Sequence, residues 1–199
     1  MCRITGFFQK LYSPYKKEEI LCKMRDVMIH GGPDDAGEYF DTENGIGLAQ
    51  RRLSIIDLSA GGHQPIFFKD YIIVFNGEIY NYEEIRHELK KLGYDFSTSS
   101  DTEVILKAYD HWGYDCVHQF RGMFAFAIWD KATKKLVLCR DRVGVKPLYW
   151  YQKDNLFMFA SELKAFDEHP GFDKTIDPHA VSLFLQTGYI KSDRKSTRL

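Results

Sequence analysis

Two helical patterns stand side by side between groups of strands, and that order constrains the fold more than any other feature of the sequence. The first follows Asn81 and Glu84, which have the spacing of a capping box. Ile85, Leu89 and Leu92 then fall on one helical face, and Gly93 stops the run. The second starts at Ser100 and Glu103 and ends at Gly113. A doubly wound chain alternates strands and helices one for one. Here a helix pair separates strand groups, which predicts a layered α+β sandwich rather than a Rossmann sheet.

The flanking strands read as follows. Residues 2–8 (CRITGFF) form a first strand. A helix over 17–29 places Ile20, Leu21, Met24, Val27 and Met28 on one face, and GGPDD at 31–35 breaks it. Residues 37–42 and 46–51 flank Asn44-Gly45, a two-residue hairpin signal. A turn region at 59–65 leads to the apolar strand 71–75 (YIIVF), which runs straight into Asn76-Gly77. Residues 122–130 and 135–140 pair across Lys131–Lys134. Residues 147–152 and 156–160 give two more strands, followed by a short helix from Ser161. A last helix over 177–186 reads as a linker element. Lys191–Leu199 is basic and patternless and reads as a truncated or foreign tail.

Composition removes several function classes. The net charge of −1 leaves no electrostatic footprint for nucleic acid or an acidic membrane. There is no basic segment followed by an apolar one at the N-terminus, so no signal peptide is expected. No apolar run approaches the length of a membrane span. The four cysteines, Cys2, Cys22, Cys116 and Cys139, fit neither a zinc pattern nor a CxxC pair. Cys22 and Cys139 lie in apolar patterns, where free thiols pack. A reduced, cytoplasmic protein is the simplest reading. The seven histidines have no metal-ligand spacing, so no metal is expected.

Four features are candidates for chemistry. Cys2 becomes the first residue when Met1 is removed. Its thiol then sits beside an α-amino group with a pKa of roughly 7.7–8.0, which serves as base for its own side chain. By position alone, a chance residue in a buried first strand explains it better. Phe75-Asn76-Gly77-Glu78 stands at a strand end, where the Asn76 amide and a backbone N–H beside Gly77 would serve a developing oxyanion. Taken alone, Asn-Gly is an ordinary turn. Arg52, in Arg51-Arg52-Leu53-Ser54, could hold a carboxylate with a bidentate fork, or be a solvated strand end. Asp101, beside Ser100, could accept from a substrate ammonium, or be an acid favoured by the helix dipole. His63 in GGHQP reads as a turn residue, and Arg140-Asp141-Arg142 as a structural ion cluster.

These signals occur together and in a recognisable order. MCRITGFF resembles the start of class II glutamine amidotransferases, and GGPDDAG, LAQRRLSIIDLSAGGHQP, FNGEIYNYEEIRHELKKLG, SSDTEVILKAY, FRGMFAFAIWD, RDRVGVKPLYW and FASELKAF follow. Together, over about residues 2–190, they resemble the glutaminase domain of asparagine synthetases. The resemblance implies an N-terminal nucleophile hydrolase fold, a four-layer αββα sandwich of two antiparallel sheets between helices. It implies hydrolysis of L-glutamine to glutamate and ammonia through a thioester on Cys2. Asn76 and Gly77 would form the oxyanion hole and Arg52 would bind the glutamine α-carboxylate. Glu78 and Asp101 would lie near its α-amino group, with Ile55 and Ile56 lining the pocket through their backbones. Glutamine is the implied partner, a homodimer the implied assembly, and neither nucleic acid nor membrane is implied.

Two positions depart from the family's usual pattern. Arg3 stands where a glycine usually follows the nucleophile, and Gly31 stands where an arginine usually follows His30. A side chain at position 3 either crowds the site or points outward from the strand. The SGGxDS loop of a full synthetase is not found in this sequence. The expected division is therefore a glutaminase domain over 2–165, a linker and first helix over 166–190 leading to a missing ATP-dependent domain, and an irregular tail over 191–199. No cofactor is expected in this chain; ATP and Mg belong to the missing domain. Two alternatives stand beside this reading: an amidotransferase serving another acceptor, such as a polysaccharide precursor, and a non-catalytic remnant.

Overall fold

Strand β1 (Arg3–Gln9) lies at the middle of a five-stranded antiparallel sheet, and its alternation sorts the molecule into layers. The computed structural model describes residues 2–9, 16–54 and 60–189. In β1, Ile4 turns towards a second sheet, while Phe7 turns towards helix α1 (Lys17–Asp26). Successive residues of a strand point to opposite faces, so one short segment contributes to two cores.

The first sheet runs β2 (Asp35–Asp41), β3 (Ile46–Arg52), β1, β9 (Leu156–Ala160) and β8 (Tyr149–Lys153). The second runs β4 (Ile66–Phe68), β5 (Tyr71–Ile79), β6 (Gly122–Asp130) and β7 (Lys135–Arg140). Every ladder is antiparallel. Between the sheets lie Ile4, Leu48, Ile72, Val74, Trp129 and Phe159. Outside the first sheet, Leu21, Met24 and Met28 pack on Phe7, Met158 and Phe166. Outside the second, helices α2 (Tyr82–Lys91) and α3 (Asp101–Trp112) bury Leu89, Val104 and Ile105 against Ile73, Phe75 and Phe126. Each such side chain contributes roughly 1.5–3 kcal/mol by leaving water. The four-layer αββα expectation is met. A final helix, α4 (Pro178–Thr187), is capped by Asp177, which accepts from the backbone N–H of His179 at 2.9 Å.

Several local expectations are corrected. The helix expected over 17–29 stops at Asp26, and Ile29–Gly31 forms a separate 3-10 turn. The hairpin at Asn44-Gly45 has a four-residue turn rather than a two-residue one. Asp41 closes it by accepting from the Asn44 backbone at 3.0 Å, and Gly45 takes a positive φ of 68°. Asn81 does not cap α2. Its side chain bonds the carbonyl of Gln119 and the N–H of Arg121, which ties α2 to the entry of β6. Ser100 does cap α3, accepting from Thr102 N at 3.1 Å.

Glu103 does not return to Ser100 as a capping box would require. Its buried carboxylate instead collects the backbone and hydroxyl donors of Ser97 and Thr98, together with the Lys107 ammonium at 2.6 Å. Burial alone would raise its pKa, but Lys107 and the Ser97 and Thr98 donors hold it at about 2. A carboxyl depressed this way stabilises the fold above its ordinary pKa of 4.5, and that stabilisation fades as pH falls towards 2. Glu103→Gln is therefore expected to cost about 2–3 kcal/mol at pH 7. Thermal unfolding should show the gap from wild type narrowing steadily as pH falls from 4.5 towards about 2.

Candidate active site

The alternation that builds the inter-sheet core also populates its open end. Cys2 has the parity of Ile4, Arg52 that of Ile46 and Leu48, and Asn76 and Glu78 that of Ile72 and Val74. All of them line one cavity with Leu53, Gln64, Gly77, Asp101, Thr102, Met123 and Lys146. Its volume of about 90 Å³ holds several water molecules, each of which needs roughly 10–15 Å³ on this measure.

On one wall, the half-buried Cys2 brings its Sγ within 3.4 Å of the backbone N–H of Leu53. Arg52 precedes Leu53 at the end of β3 and is only 6% exposed. A clamp fixes this strand end. Asp34 donates its N–H to the Arg52 carbonyl at 3.0 Å, and its carboxylate accepts from Ser54 N at 2.8 Å.

On the other wall, Asn76-Gly77 is not a turn. Both residues lie within β5, paired with Ala125 and Phe124 of β6. An added Cβ at Gly77 would lie 2.7 Å from the Phe124 Cα, so the glycine is required for the two strands to approach. Asn76 is 1% exposed, and its Nδ2 donates to nothing among the described residues. A buried donor left unpaired costs roughly 1–3 kcal/mol.

The third wall is the start of α3. Asp101 accepts from the N–H of Ile79 at 3.0 Å, which joins the helix to the end of β5. Burial pushes its pKa up to about 6; the Glu78 charge adds to this, and the backbone donors of Ile79 and Thr102 oppose it. Gln64 completes the wall. Its Oε1 accepts from Phe75 N at 2.7 Å and its Nε2 donates to the Thr102 hydroxyl at 3.2 Å. At the base, Lys146 is 2% exposed. Burial lowers its pKa and the Arg3 charge adds to this, while nearby Cys2 and the Glu78 and Asp141 carboxylates oppose it. Lys146 is set by its own loop. Asp141 accepts from the N–H groups of Val145 and Lys146 at 2.9 and 3.0 Å, and Arg140 donates to the Lys146 carbonyl at 2.9 Å.

Six predicted residues thus converge: Cys2, Arg52, Asn76, Gly77, Glu78 and Asp101. Ile55 and Ile56 lie outside the described residues. Sequence reasoning missed Gln64, Thr102, Met123 and Lys146. Gln64 hid in a turn-like GGHQP, and only Lys146's place after the Asp141 loop hinted at a fixed position. His63 pairs with Asp35 at 2.8 Å, a bond consistent with its turn position. Arg3, which has odd parity, points away from the cavity. Among the described residues no group of three or more His, Cys, Asp or Glu could hold a metal ion, and no helix is long and apolar enough to cross a membrane. A soft nucleophile, an orphan amide donor, a guanidinium and two acids around one cavity suit acyl transfer on a small zwitterion.

Comparison with known proteins agrees in kind. A family model described as a glutamine amidotransferase domain matches residues 1–198. Asparagine synthetase [glutamine-hydrolyzing] 1 of Bacillus subtilis is 42% identical over 96% of this chain and 30% of its own length. A putative asparagine synthetase [glutamine-hydrolyzing] 2 of Methanocaldococcus jannaschii is 43% identical, over 96% of this chain and 40% of its own length. The chain therefore spans about a third of the length of these relatives. Among solved structures, glutamine phosphoribosylpyrophosphate amidotransferase from B. subtilis superposes with a TM-score of 0.69 at 21% identity, covering 83% of this chain and 43% of that one. A second, an allosteric regulatory enzyme of purine biosynthesis, gives 0.70 at 21%, covering 84% and 43%. At such identity they show the shared fold alone.

Asp101 makes a further expectation measurable. Its folded pKa of about 6 exceeds the ordinary 3.8, so the folded state binds the proton more tightly. Stability attributable to this group then falls as pH rises from about 4 to 6 and stays reduced above. Asp101→Asn, which keeps an acceptor for the Ile79 N–H, should raise the melting temperature at pH 7.5 relative to wild type. At pH 4 the two proteins should melt together.

Proposed function

The chain belongs to the glutamine amidotransferase domain family, and from that premise we propose that it releases ammonia from L-glutamine through a thioester on Cys2. The observation that carries the reading is that Cys2 and the unpaired Asn76 amide line one cavity together with Arg52 and Asp101.

In this mechanism removal of Met1 leaves the Cys2 α-amine free. The amine takes the thiol proton, and Sγ attacks the side-chain amide carbon of glutamine. The carbonyl oxygen gains the charge, and the Asn76 Nδ2–H and the Gly77 N–H receive it. A donor that has no partner in the free protein gives its full strength to the transition state. The α-ammonium then protonates the departing nitrogen, and the C–N bond breaks to release ammonia. Water, deprotonated by the same amine, attacks the thioester, and glutamate leaves as the thiol regains its proton. Arg52 holds the substrate α-carboxylate with its planar fork. Glu78 and Asp101 take the α-ammonium of the glutamine, and Ile55 and Ile56 contribute backbone to the pocket.

The ammonia would serve asparagine synthesis, by analogy with the relatives' names. Residues 2–165 would carry the glutaminase. Residues 166–190 would connect to an ATP-dependent domain, a role consistent with the exposed Ile176, Phe184 and Leu185 on and beside α4.

Ammonia release from L-glutamine by the purified chain tests the reading. Wild type should exceed Cys2→Ala clearly, with an intact mass lacking Met1; equal rates in the two would sink the proposal. Asn76→Ala should lower kcat by roughly 100- to 1,000-fold with little change in KM. Because Asp101 must be ionised to pair with the ammonium, KM for glutamine should rise as pH falls below about 6.

A further inference from the structure

Arg3 and Gly31, the two positions that depart from the usual pattern, touch each other. A Cβ built on Gly31 would lie 2.7 Å from the Arg3 Cζ and 2.8 Å from its Cγ and Nε. No side chain fits at position 31 while Arg3 holds this pose. The pose is fixed from two sides. The Arg3 Nε donates to the Glu162 carboxylate, and Nη1 donates to the Cys2 carbonyl oxygen at 3.0 Å. Glu162 is itself held by His30 at 3.0 Å and by Lys164 at 3.3 Å. Burial alone would raise the Glu162 pKa, but Arg3 and Lys164 hold it low, so the carboxylate stays charged.

We propose that Arg3 is a positioning residue for the nucleophile, seated by the missing side chain of Gly31 and acting through the Cys2 carbonyl. The inference rests on the reading that Cys2 attacks glutamine. Cys2 precedes the first ladder pair, Arg3 with Arg51, so it is not itself a ladder residue and strand pairing holds its backbone on one side only. Its thiol is met from the cavity side by the Leu53 N–H. Arg3 works from the opposite face of the sheet and grips the carbonyl of the same residue. Together the two contacts define the rotation of Cys2 about its own backbone, and with it the direction in which Sγ points. A charged donor in a partly buried bond suits this task, because such bonds are short and strong. Glycine at 31 and arginine at 3 then form one device: the guanidinium reaches its place from the strand, and the turn gives it room.

The test is a cycle of Arg3→Gly, Gly31→Arg and the double variant, with Arg3→Lys alongside, all in the full chain. Three readouts separate the causes: melting temperature, kcat and KM for glutamine, and the rate of Cys2 alkylation by iodoacetamide, located by mass. Arg3→Gly should keep KM and lower kcat by roughly 10- to 100-fold, as expected when a reacting group is misdirected. Gly31→Arg alone should lose as much, since two guanidinium groups compete for one seat. The double variant, which delivers the group from the turn, should recover most of kcat, whereas Arg3→Lys should recover little. If the folded double variant is no better than either single one, the proposal fails. It also fails if Arg3→Gly changes KM alone, or lowers the melting temperature without changing kcat or the alkylation rate. If wild type shows no Cys2-dependent ammonia release, the glutaminase reading fails instead. The alkylation rates then decide the positioning claim: unchanged rates across the cycle overturn it, and slowed singles with a recovered double sustain it.

Discussion

The two-residue repeat of an extended chain decides where every chemical group in this protein ends up. Side chains on one face of β1, β3 and β5 form the apolar layer between the sheets, and further along the same faces stand Cys2, Arg52, Asn76 and Glu78. A slip of one residue in β1 would carry Cys2 to the outer face and bring Arg3 into the cavity. The register is therefore the most consequential property of the fold, and it is fixed by more than backbone pairing. The hydroxyl of Thr5 donates to the Phe159 carbonyl at 3.0 Å, and Ile4 N donates to the Ser161 hydroxyl at 3.0 Å. Gln50 reaches across the gap to the Phe75 carbonyl at 3.2 Å, coupling the register of one sheet to that of the other.

Buried polar side chains then aim the loops at the end of the sandwich. Gln64 joins a turn, β5 and α3 through two bonds; Asp101 joins α3 to β5; Asp141 gathers the loop that carries Lys146. Burial would raise the Asp141 pKa, but the N–H groups of Lys146, Val145 and Phe124 hold it below the ordinary range. Each of these bonds contributes about 1 kcal/mol net, more where a carboxylate accepts. Their larger effect is geometric: a loop two of whose N–H groups converge on one carboxylate has few other conformations available.

Much of this was legible in the sequence because it is local. Periodicity marks the strands and helices, and the order of helix pair and strand groups gives the layers. Ser100 caps α3 as its type and position suggest. What escaped depends on partners distant in the chain. Asn76-Gly77 reads as a turn by propensity, yet it is strand because β6 lies against it and only glycine admits the Phe124 backbone. Asn81 has the spacing of a cap, but Gln119 and Arg121 offer it better bonds. Gln64 and Lys146 look like ordinary turn residues, since neither the cavity nor their partners are encoded near them. Arg3 could be read as an obstruction or as an outward side chain. The parity of β1 chooses the second, and Gly31 shows why the outward position was open to it.

The cavity also concentrates unfavourable electrostatics. Asn76 keeps a buried donor without a partner among the described residues, Asp101 is held charged at a burial that raises its pKa, and Lys146 is a buried ammonium. The unpaired donor alone would mean little, because Arg86 and His169 also hold polar atoms unpaired among the described residues and neither lines this cavity. Three in one cavity beside a thiol are harder to reconcile with selection for stability alone. The α3 network around Glu103 makes the contrast plain: it is equally buried, but every oxygen is satisfied and its carboxyl is driven down rather than up. The same helix therefore carries a carboxylate paired with an ammonium at Glu103 and, two residues earlier, one that only backbone N–H groups offset against burial at Asp101. A ligand that brings an ammonium to Asp101 and an oxygen to Asn76 would offset the burial of the one and pair the donor of the other. On the function proposed above, that is the physical sense in which the cavity would suit a zwitterionic amide better than water.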